Sequence, residues 1–334
     1  MDRKMPLIEA DRLLAAGHTA QAVSIVTAAA DQGDVDALFR LASWNLTGGP
    51  LPRNLGRARA LLQRAVAIGH VDAALLEIAL TANGSGGAAS WQSARRLLAV
   101  AAHNDPVAAQ QSALLDAMTL TADGHPVSEP ASVTLATQPE IRHFPALLTR
   151  EECAHLANAA SDLLAPAVVV DPRTGRNVPH PVRSSDGAVI GPMRESLVVR
   201  AINQRLATIT ATDIAQGEAL TILRYRPGQQ FRPHFDAIGN ARNQRTKTVL
   251  IYLNEGFTGG ETQFPKLGVT IRPKAGDAIA FTNTLADDTT DPRSLHAGLP
   301  VTQGVKWLAT RWIRQSPFDA WTGPETPIGS AGRP

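Results

Sequence analysis

Apolar residues recur with a helical period over the first third of the chain. Ala22, Ile25 and Val26 follow a spacing of three and four residues, so they fall on one face of a helix. The same pattern returns 36 residues later from Ala58 and again, after a further 36 residues, from Ala94. A face of small residues repeated at a fixed interval predicts stacked helical hairpins, each burying its face against the next.

Turns rich in glycine separate these helices. Gly33 and Gly69 each stand four residues before an alanine, whereas the third copy carries Asp105 and Pro106 where the glycine turn is expected. On these residues the segment 5–120 resembles the Sel-one-like repeats, relatives of the tetratricopeptide repeat, with the third copy as a degenerate cap. The resemblance implies an all-α solenoid whose concave face can hold a peptide. The alternative is a scaffold that only packs on the next domain.

The pattern changes after this segment. Residues 121–138 are rich in Pro, Ser and Thr and are expected to form a linker. Residues 144–164 read as one amphipathic helix, with Thr149 as its N-cap and Glu152 at the capping-box position. Short β-rich runs follow, separated by Gly, Pro, Asn and Asp: ALTILRYR, TKTVLIYL, GVTIRP, DAIAFTN and KWLATRWIR.

Many short strands behind a few helices favour a jelly-roll or cupin-like double-stranded β-helix, a barrel whose closure protects the strand edges. The sequence therefore predicts an α+β protein. A helical-repeat solenoid over 5–120 is expected to precede a β-helix domain with flanking helices over 139–316, followed by a flexible tail over 317–334.

The charge balance argues against a basic binding surface. Lys and Arg number 32 against 30 Asp and Glu, a formal net charge of +2, which disfavours a nucleic-acid partner. Cys153 is the single cysteine, so no internal disulfide can form and a reducing compartment is expected. No apolar run reaches the ~18 residues of a membrane span. We expect a cytoplasmic protein without a membrane partner.

A histidine and a carboxylate stand two residues apart at His234 and Asp236. Residues i and i+2 of an extended segment point the same way, so both side chains can reach one ion. His296 lies beside a later predicted strand and offers a third ligand. Two imidazoles and one carboxylate leave three positions open on an octahedral ion, as in the non-haem Fe(II) oxygenases. The alternatives are two polar residues in a loop or a zinc-binding cupin barrel.

Lys306 follows His296 by ten residues, so an extended turn and strand can bring its ammonium near the metal pocket. A buried cation is costly unless an anion meets it. 2-Oxoglutarate supplies such an anion, because its keto-acid end can chelate iron while its distal carboxylate pairs with Lys306. The alternative is an ordinary surface lysine.

Several motifs extend this picture in order over residues 140–316. They are TREEC, VVVDPRTG, the RSS at Arg183, YRPGQQFRPHFD, TVLIYLNEGFTGGETQFP, SLHAG and GVKWLATRWIR. Together they resemble the prolyl 4-hydroxylase branch of the Fe(II)- and 2-oxoglutarate-dependent dioxygenases.

The resemblance implies a role for individual residues. His234, Asp236 and His296 are expected to be the iron ligands and the catalytic centre, and Lys306 to bind the distal carboxylate of 2-oxoglutarate. The further expected contacts are Tyr225 and Thr262 for the co-substrate, and Trp312, Glu218 and Arg183 for the substrate. Core packing or solvated charge is the alternative for the last three.

One position departs from the family's pattern. Family members often carry tyrosine three residues before the first iron histidine, and this chain has Phe231. The departure leaves the expected iron ligands intact, but it weakens the transfer of peptidyl proline as the substrate.

The implied reaction is oxidative. Oxygen at Fe(II) decarboxylates 2-oxoglutarate to succinate and CO2 while a C–H bond is hydroxylated, with ascorbate as the reductant that the resemblance implies. A prolyl residue of a protein or peptide, held by the helical repeats, is the first expectation for the substrate. The alternatives are a free amino acid or other small metabolite, and a catalytically inert adaptor whose repeats bind a partner.

Overall fold

The structure is a computed structural model that describes residues 5–170, 177–179, 182–272 and 274–321. The chain divides into two compact units. The first comprises the chain up to Gly124 together with Pro192–Arg200, and the second comprises His125–Gly191 and the chain from Ala201 onward.

Helices account for most of the first unit. Along the described residues the α-helices are α1 (Met5–Ala15), α2 (Thr19–Asp31), α3 (Val35–Thr47), α4 (Leu55–Ala67), α5 (Val71–Asn83), α6 (Trp91–Ala101), α7 (Pro106–Ala117), α8 (Arg150–Ala160) and α9 (Leu197–Thr210). Among the described residues, no helix is both long enough and apolar enough to cross a membrane.

The predicted helical repeat is confirmed. The helices α2, α4 and α6 begin at Thr19, Leu55 and Trp91, which are 36 residues apart. Each packs against the helix that follows it, and the small residues predicted to face inward, such as Ala22 and Ala58, are fully buried. Alanine at these positions lets neighbouring helices approach closely and costs no side-chain entropy on folding.

The second helix of each hairpin begins at a residue that caps it. The side chains of Asp34, His70 and Asp105 each accept a hydrogen bond from the backbone amide three residues further on. Gly33 and Gly69 precede two of these caps with φ of +84° and +96°, which glycine adopts without a steric cost. The third copy lacks the glycine but keeps the N-cap, so its second helix also has a regular start.

Strands make up most of the second unit. They are β1 (Val133–Thr137), β2 (Glu140–Phe144), β3 (Ala165–Pro166), β4 (Val168–Val170), β5 (Asn177–Pro179), β6 (Asp186–Ile190), β7 (Leu220–Tyr225), β8 (Phe231–His234), β9 (Arg245–Tyr252), β10 (Thr258–Gly259), β11 (Thr262–Phe264), β12 (Val269–Ile271), β13 (Ala278–Thr282), β14 (His296–Gly298), β15 (Val301–Gln303) and β16 (Lys306–Arg314).

Two antiparallel sheets form the body of this unit. The larger has the strand order β1-β2-β13-β9-β16-β7-β6-β3, and the smaller has the order β12-β11-β14-β8; the pairs β10-β15 and β4-β5 are short hairpin-like additions. Residues of both sheets, among them Tyr252 and Phe264, share one hydrophobic core. The sheets therefore pack face to face, as in a double-stranded β-helix.

The sheets do not close into the barrel that the sequence led us to expect. The larger sheet ends at β1 and β3, and the smaller sheet ends at β12 and β8. The two layers are joined by their shared core and not by a continuous ladder of backbone hydrogen bonds. Side chains between the layers, rather than a closed ring of strands, fix the spacing of the two sheets.

The five β-rich runs predicted from the sequence are confirmed as β7, β9, β12, β13 and β16. The helix predicted over 144–164 is shorter, because Phe144 ends β2 and α8 begins only at Arg150. Thr149 caps α8, and its capping box with Glu152 is formed.

The expected linker, one quoted motif and the expected tail can also be compared with the structure. The strand β1 lies inside the segment 121–138, expected to be a linker, and pairs with β2. Residues 171–175 of the VVVDPRTG motif lie outside the described residues, as do residues 322–334 of the expected tail.

Replacing Leu62 by alanine tests the repeat core. Leu62 is fully buried on α4, so Leu62→Ala should lower the free energy of unfolding by about 2–5 kcal/mol through lost burial and the cavity left behind. Denaturant unfolding followed by circular dichroism measures the change. Ile8→Ala is the matched control, because Ile8 is 62% exposed and its loss should shift stability by no more than about 0.5 kcal/mol. Equal effects of the two changes would contradict this packing.

Candidate metal and co-substrate site

The structure brings the three predicted metal ligands together. His234 ends β8, His296 begins β14, and the antiparallel register of these strands sets the two histidines opposite each other. Asp236 follows β8 by two residues. One ligand atom from each residue lies within 4.8 Å of the other two, and the imidazole centroids are 4.3 Å apart. Strand pairing thus assembles a cluster from positions about 60 residues apart in sequence.

The hydrogen bonds of both imidazoles leave the same nitrogen available. Nδ1 of His234 lies 2.8 Å from the carbonyl oxygen of Arg232, and Nδ1 of His296 lies 2.9 Å from that of Ser294. A carbonyl oxygen only accepts, so each Nδ1 carries the proton and each Nε2 presents a lone pair. Burial, followed by the proximity of His296, lowers the pKa of His234 to about 4. The imidazole is therefore neutral near pH 7, the form that binds metals.

Aromatic rings hold these imidazoles from behind. Phe231 stacks on His234 with ring centroids 3.4 Å apart and an interplanar angle of 11°. Phe281 meets His296 edge-on at 4.8 Å, and Phe264 lies 5.6 Å from the same ring. Such contacts restrict the orientation of the imidazoles and keep water from their outer faces. Phe231, the position where family members often carry tyrosine, thus supports a candidate metal ligand by packing.

Lys306 is buried at the start of β16. Only 2% of the residue is exposed, and its Nζ donates a hydrogen bond of 2.6 Å to the carbonyl oxygen of Gly260. The rings of Tyr225 and Tyr252 flank the ammonium, with centroids 5.5 and 5.3 Å away. Burial lowers the pKa of Lys306 to about 8, opposed only by the charge of Glu261. An ammonium has three donors, so this pocket fits an anion that would accept the remaining ones.

Two hydroxyls lie beside the ammonium pocket and join the two sheets. The Tyr252 hydroxyl on β9 donates to Oγ1 of Thr262 on β11 over 2.6 Å, and both residues are buried. Tyr225 ends β7 directly opposite Lys306 in the strand register. Burial raises the pKa of Tyr225 to about 12, so its hydroxyl stays protonated and can donate.

Glu218 serves as the acceptor for two guanidinium groups. Arg245 donates to both carboxylate oxygens over 2.6 and 2.9 Å, and Nε of Arg314 donates to Oε1 over 2.6 Å. Arg314 is 1% exposed, so its charge requires this partner. The carboxylate is fully engaged by protein groups, which favours a structural role for Glu218 over the expected substrate contact.

Trp312 and Arg183 lie close to the metal cluster. Trp312 stands opposite Thr248 in the strand register, and the Arg245 guanidinium sits 4.1 Å from the centroid of its ring. The indole Nε1 of Trp312 is buried and finds no acceptor among the described residues. Arg183 bridges to Phe231, with its guanidinium 5.7 Å from that ring, and burial lowers the pKa of Arg183.

Sequence reasoning missed three polar residues of this site, namely Tyr252, Thr248 and Asn283. The Thr248 hydroxyl donates to Asp236 over 2.7 Å, and the Asn283 amide donates to Thr248 over 2.9 Å. Thr248 and Tyr252 lie in the TVLIYLNEGFTGGETQFP motif, but the roles of all three residues depend on partners in other segments of the chain. Alternation along TKTVLIYL offered one signal, since Thr248 and Tyr252 fall on the same face of β9.

The donor set fits a specific class of metal. Two neutral imidazole nitrogens and one carboxylate, grouped on one side, form a facial triad that leaves coordination positions open for other ligands. The buried ammonium of Lys306 provides an anion site in the same core, because Tyr252 beside it packs with the Phe264 and Phe281 that contact His296. This combination defines a non-haem iron oxygenase with an anionic co-substrate.

Comparison with known proteins leads to the same class. The family model described as the 2OG-Fe(II) oxygenase superfamily matches residues 220–314, which include the metal cluster and Lys306. The chain is 35% identical over 204 residues to "Probable prolyl 4-hydroxylase 10" of Arabidopsis thaliana, covering 54% of this chain and 70% of that protein. The chain belongs to the prolyl 4-hydroxylase family of this superfamily, and it is an Fe(II)- and 2-oxoglutarate-dependent dioxygenase.

Two solved structures are similar to parts of the chain. The viral collagen prolyl hydroxylase of Paramecium Bursaria Chlorella virus-1, solved as a 2-oxoglutarate complex, is 28% identical, with a TM-score of 0.43 over 53% of this chain and 96% of its own. A Sel1 repeat protein from Oxalobacter formigenes is 18% identical, with a TM-score of 0.31 over 34% of this chain and 88% of its own.

Proposed function

We propose that this dioxygenase hydroxylates a prolyl residue of a protein or peptide, with succinate and CO2 as co-products. One observation supports this more than any other. His234, Asp236 and His296 converge within 4.8 Å beside a core that also encloses the ammonium of Lys306. The family relationship supports proline as the target, since relatives named as prolyl 4-hydroxylases or probable prolyl 4-hydroxylases are 35% and 33% identical to this chain over 204 and 226 residues.

The roles of the site residues follow from their geometry. We assign His234 Nε2, His296 Nε2 and one carboxylate oxygen of Asp236 as the iron ligands. Lys306 pairs with the distal carboxylate of 2-oxoglutarate, because a buried ammonium with one hydrogen-bond acceptor among the described residues gains most from an anion. Tyr225, opposite Lys306 in the register, supplies a neutral hydroxyl to the same carboxylate.

Thr262 keeps its expected role as a donor to the co-substrate. Its Oγ1 accepts a hydrogen bond from the Tyr252 hydroxyl, so its own hydroxyl proton remains available to the co-substrate. The Tyr252–Thr262 hydrogen bond therefore orients a donor toward the pocket while it joins the two sheets.

Iron with bound 2-oxoglutarate supplies the oxidative chemistry, namely oxygen activation and hydrogen abstraction from a C–H bond. The protein residues bind, orient and exclude water. Phe231, Phe264 and Phe281 restrict water behind the histidines. The exclusion of water matters because it strengthens the electrostatic pairing of Lys306 with a carboxylate and prevents side reactions.

The proposed substrate face lies around Trp312 and Arg183. The indole N–H of Trp312 finds no acceptor among the described residues, so a peptide carbonyl that reaches it can accept its hydrogen bond. Arg183, close to Phe231, adds a cationic donor of fixed fork geometry. Glu218 contributes indirectly, because it holds the Arg245 that covers the Trp312 ring.

The helical repeats supply a second binding surface in this proposal. An apolar pocket of about 180 Å³ opens among α4, α5, α6 and the start of α7, and its lining includes Val71, Leu97 and Val100. Val71 and Val100 are 44% and 70% exposed, which leaves apolar surface available to a peptide. Ascorbate as reductant and a cytoplasmic location complete the proposal.

The metal assignment is tested by anaerobic titration with Fe(II) and 2-oxoglutarate. The wild-type protein should develop a metal-to-co-substrate absorption band, and it should form succinate when oxygen is admitted. His296→Ala removes one of three ligands, so it should show neither. A variant outside the site, Ile8→Ala, is the control and should behave as wild type. A wild-type protein without band or succinate would leave the chain as a binding scaffold.

The Lys306 assignment predicts a dependence of 2-oxoglutarate affinity on pH. Only the protonated ammonium pairs with the carboxylate, and Tyr225, Tyr252 and Glu261 are the titratable groups facing it. Affinity should therefore be constant below about pH 8, the pKa of Lys306, and fall up to roughly tenfold per pH unit above it.

Anaerobic binding titrations between pH 6.5 and about 9.5 measure this dependence. Lys306→Arg, whose guanidinium stays charged over the whole range, should bind with little change between pH 7 and about 9. An unchanged wild-type affinity across pH 8 would remove Lys306 from the co-substrate site.

The substrate assignment is tested with proline-containing peptides. The enzyme with Fe(II), 2-oxoglutarate and oxygen should add the mass of one oxygen to a peptidyl proline, and free proline should remain unmodified. Val100→Glu places a charge in the repeat pocket, so it should raise KM for long peptides and leave KM for short peptides unchanged. Ile8→Glu, which is exposed outside this pocket, is the control. Hydroxylation of free proline alone would overturn the assignment.

A further inference from the structure

Asp236 differs from the other two candidate ligands in its local structure. His234 and His296 belong to β8 and β14, which are hydrogen-bonded to each other. Asp236 lies in the irregular segment after β8, outside any strand. A carboxylate on such a segment has more freedom than a strand residue, and a metal site requires ligand positions held to a fraction of an ångström. Some other contact must fix this side chain.

That contact comes from the larger sheet. The hydroxyl of Thr248 lies 2.7 Å from Oδ2 of Asp236, and Thr248 is completely buried. Thr248 stands on β9, a strand held on both sides, where it faces Phe281 of β13 and Trp312 of β16 in the registers. Two neighbouring strands hold the backbone of Thr248 in place, so its hydroxyl can fix the position of the Asp236 carboxylate.

The direction of the hydrogen bonds follows from the donor inventory. Nδ2 of Asn283 lies 2.9 Å from Oγ1 of Thr248, and an amide nitrogen can only donate. A lone pair of the Thr248 hydroxyl oxygen thereby accepts from Asn283, and the single hydroxyl proton of Thr248 is directed to Asp236. The ionised carboxylate, which is the form that binds a metal, accepts this hydrogen bond. Asn283 is 1% exposed and immediately follows β13.

Asn283 also connects to the second histidine through its backbone. Its carbonyl oxygen accepts from the Ser294 hydroxyl over 3.3 Å, and the Ser294 carbonyl accepts from Nδ1 of His296. The backbone N–H of Asn283 in turn donates to the carbonyl oxygen of Thr246 on β9 over 2.8 Å. One buried asparagine is thus linked to two candidate iron ligands.

We propose that Thr248 and Asn283 are positioning residues that hold Asp236 as a ligand through one oxygen. Thr248 engages Oδ2 while Oδ1, which accepts no hydrogen bond within the described part of the chain, is left for the ion. Binding through one oxygen preserves open positions for 2-oxoglutarate and oxygen, whereas both oxygens on the metal would consume one of them. This inference rests on the proposed iron site.

The test measures Fe(II) affinity directly, by anaerobic calorimetric titration, rather than turnover. Thr248→Val keeps the shape of the side chain and removes the hydroxyl, so it should weaken Fe(II) binding by roughly 10- to 100-fold. Thr248→Ser restores the hydroxyl and should recover most of that loss. Circular dichroism and the melting temperature confirm that each variant is folded.

A double-mutant cycle tests whether Asn283 acts through Thr248. Asn283→Leu removes the amide donor at similar volume, and it should weaken Fe(II) binding by less than Thr248→Val, because the hydroxyl can still reach Asp236. In the Thr248→Val background, Asn283→Leu should have no further effect on affinity, since the group through which it acts is gone. Independent structural contributions would instead add.

The outcomes separate this inference from the proposed function. If wild type binds Fe(II) and His296→Ala does not, the iron site stands. Equal affinity of wild type and Thr248→Val would then overturn the positioning role alone, as would a loss that Thr248→Ser does not recover. Additive losses in the double variant would overturn the role of Asn283. If wild type itself fails to bind Fe(II), the proposed function falls first.

Discussion

Polar groups enclosed between the two sheets must satisfy one another, and this requirement organises the second unit. Lys306 donates to a backbone carbonyl, Tyr252 donates to Thr262, and Asp236 accepts from Thr248. Each of these hydrogen bonds joins separate segments of the chain. The contacts that relieve the cost of burying polar atoms therefore also set the distances between the functional groups. Because the barrel is not closed, these hydrogen bonds help to hold the separate segments in position, as a continuous ring of paired strands would.

Much of the fold was predictable because its signals are local. Thr149 and Glu152 identify the start of α8, and the spacing of Ala22, Ala58 and Ala94 identifies the repeats. A capping box and a helical face need only neighbouring residues, so sequence suffices. Phe144 shows the limit, since an apolar residue before a helix reads equally well as its first turn. Only pairing with β13 makes it part of a strand.

The site residues likewise fall into those that local sequence predicts and those that depend on strand pairing. His234 and Asp236 could be found by their spacing, but the functions of Thr248 and Asn283 depend on which strands neighbour one another. The sequence contains many threonines, and the motif that begins at Thr248 does not reveal its hydrogen bond to Asp236. Glu218 shows the same dependence, because its carboxylate, expected at the substrate, accepts from two arginines that lie far from it in the sequence. Register, rather than composition, decides between these uses.

The pairing of β8 with β14 has a consequence for the order of events during folding. Unfolded, the chain offers only a histidine and a carboxylate two residues apart, and the second histidine arrives when strands about 60 residues distant come together. Contacts between such distant segments form late, because their loop-closure entropy must be overcome first. The three ligands of the iron site therefore come together only when β8 and β14 have paired. Metal content consequently reports on chains in which this pairing has formed.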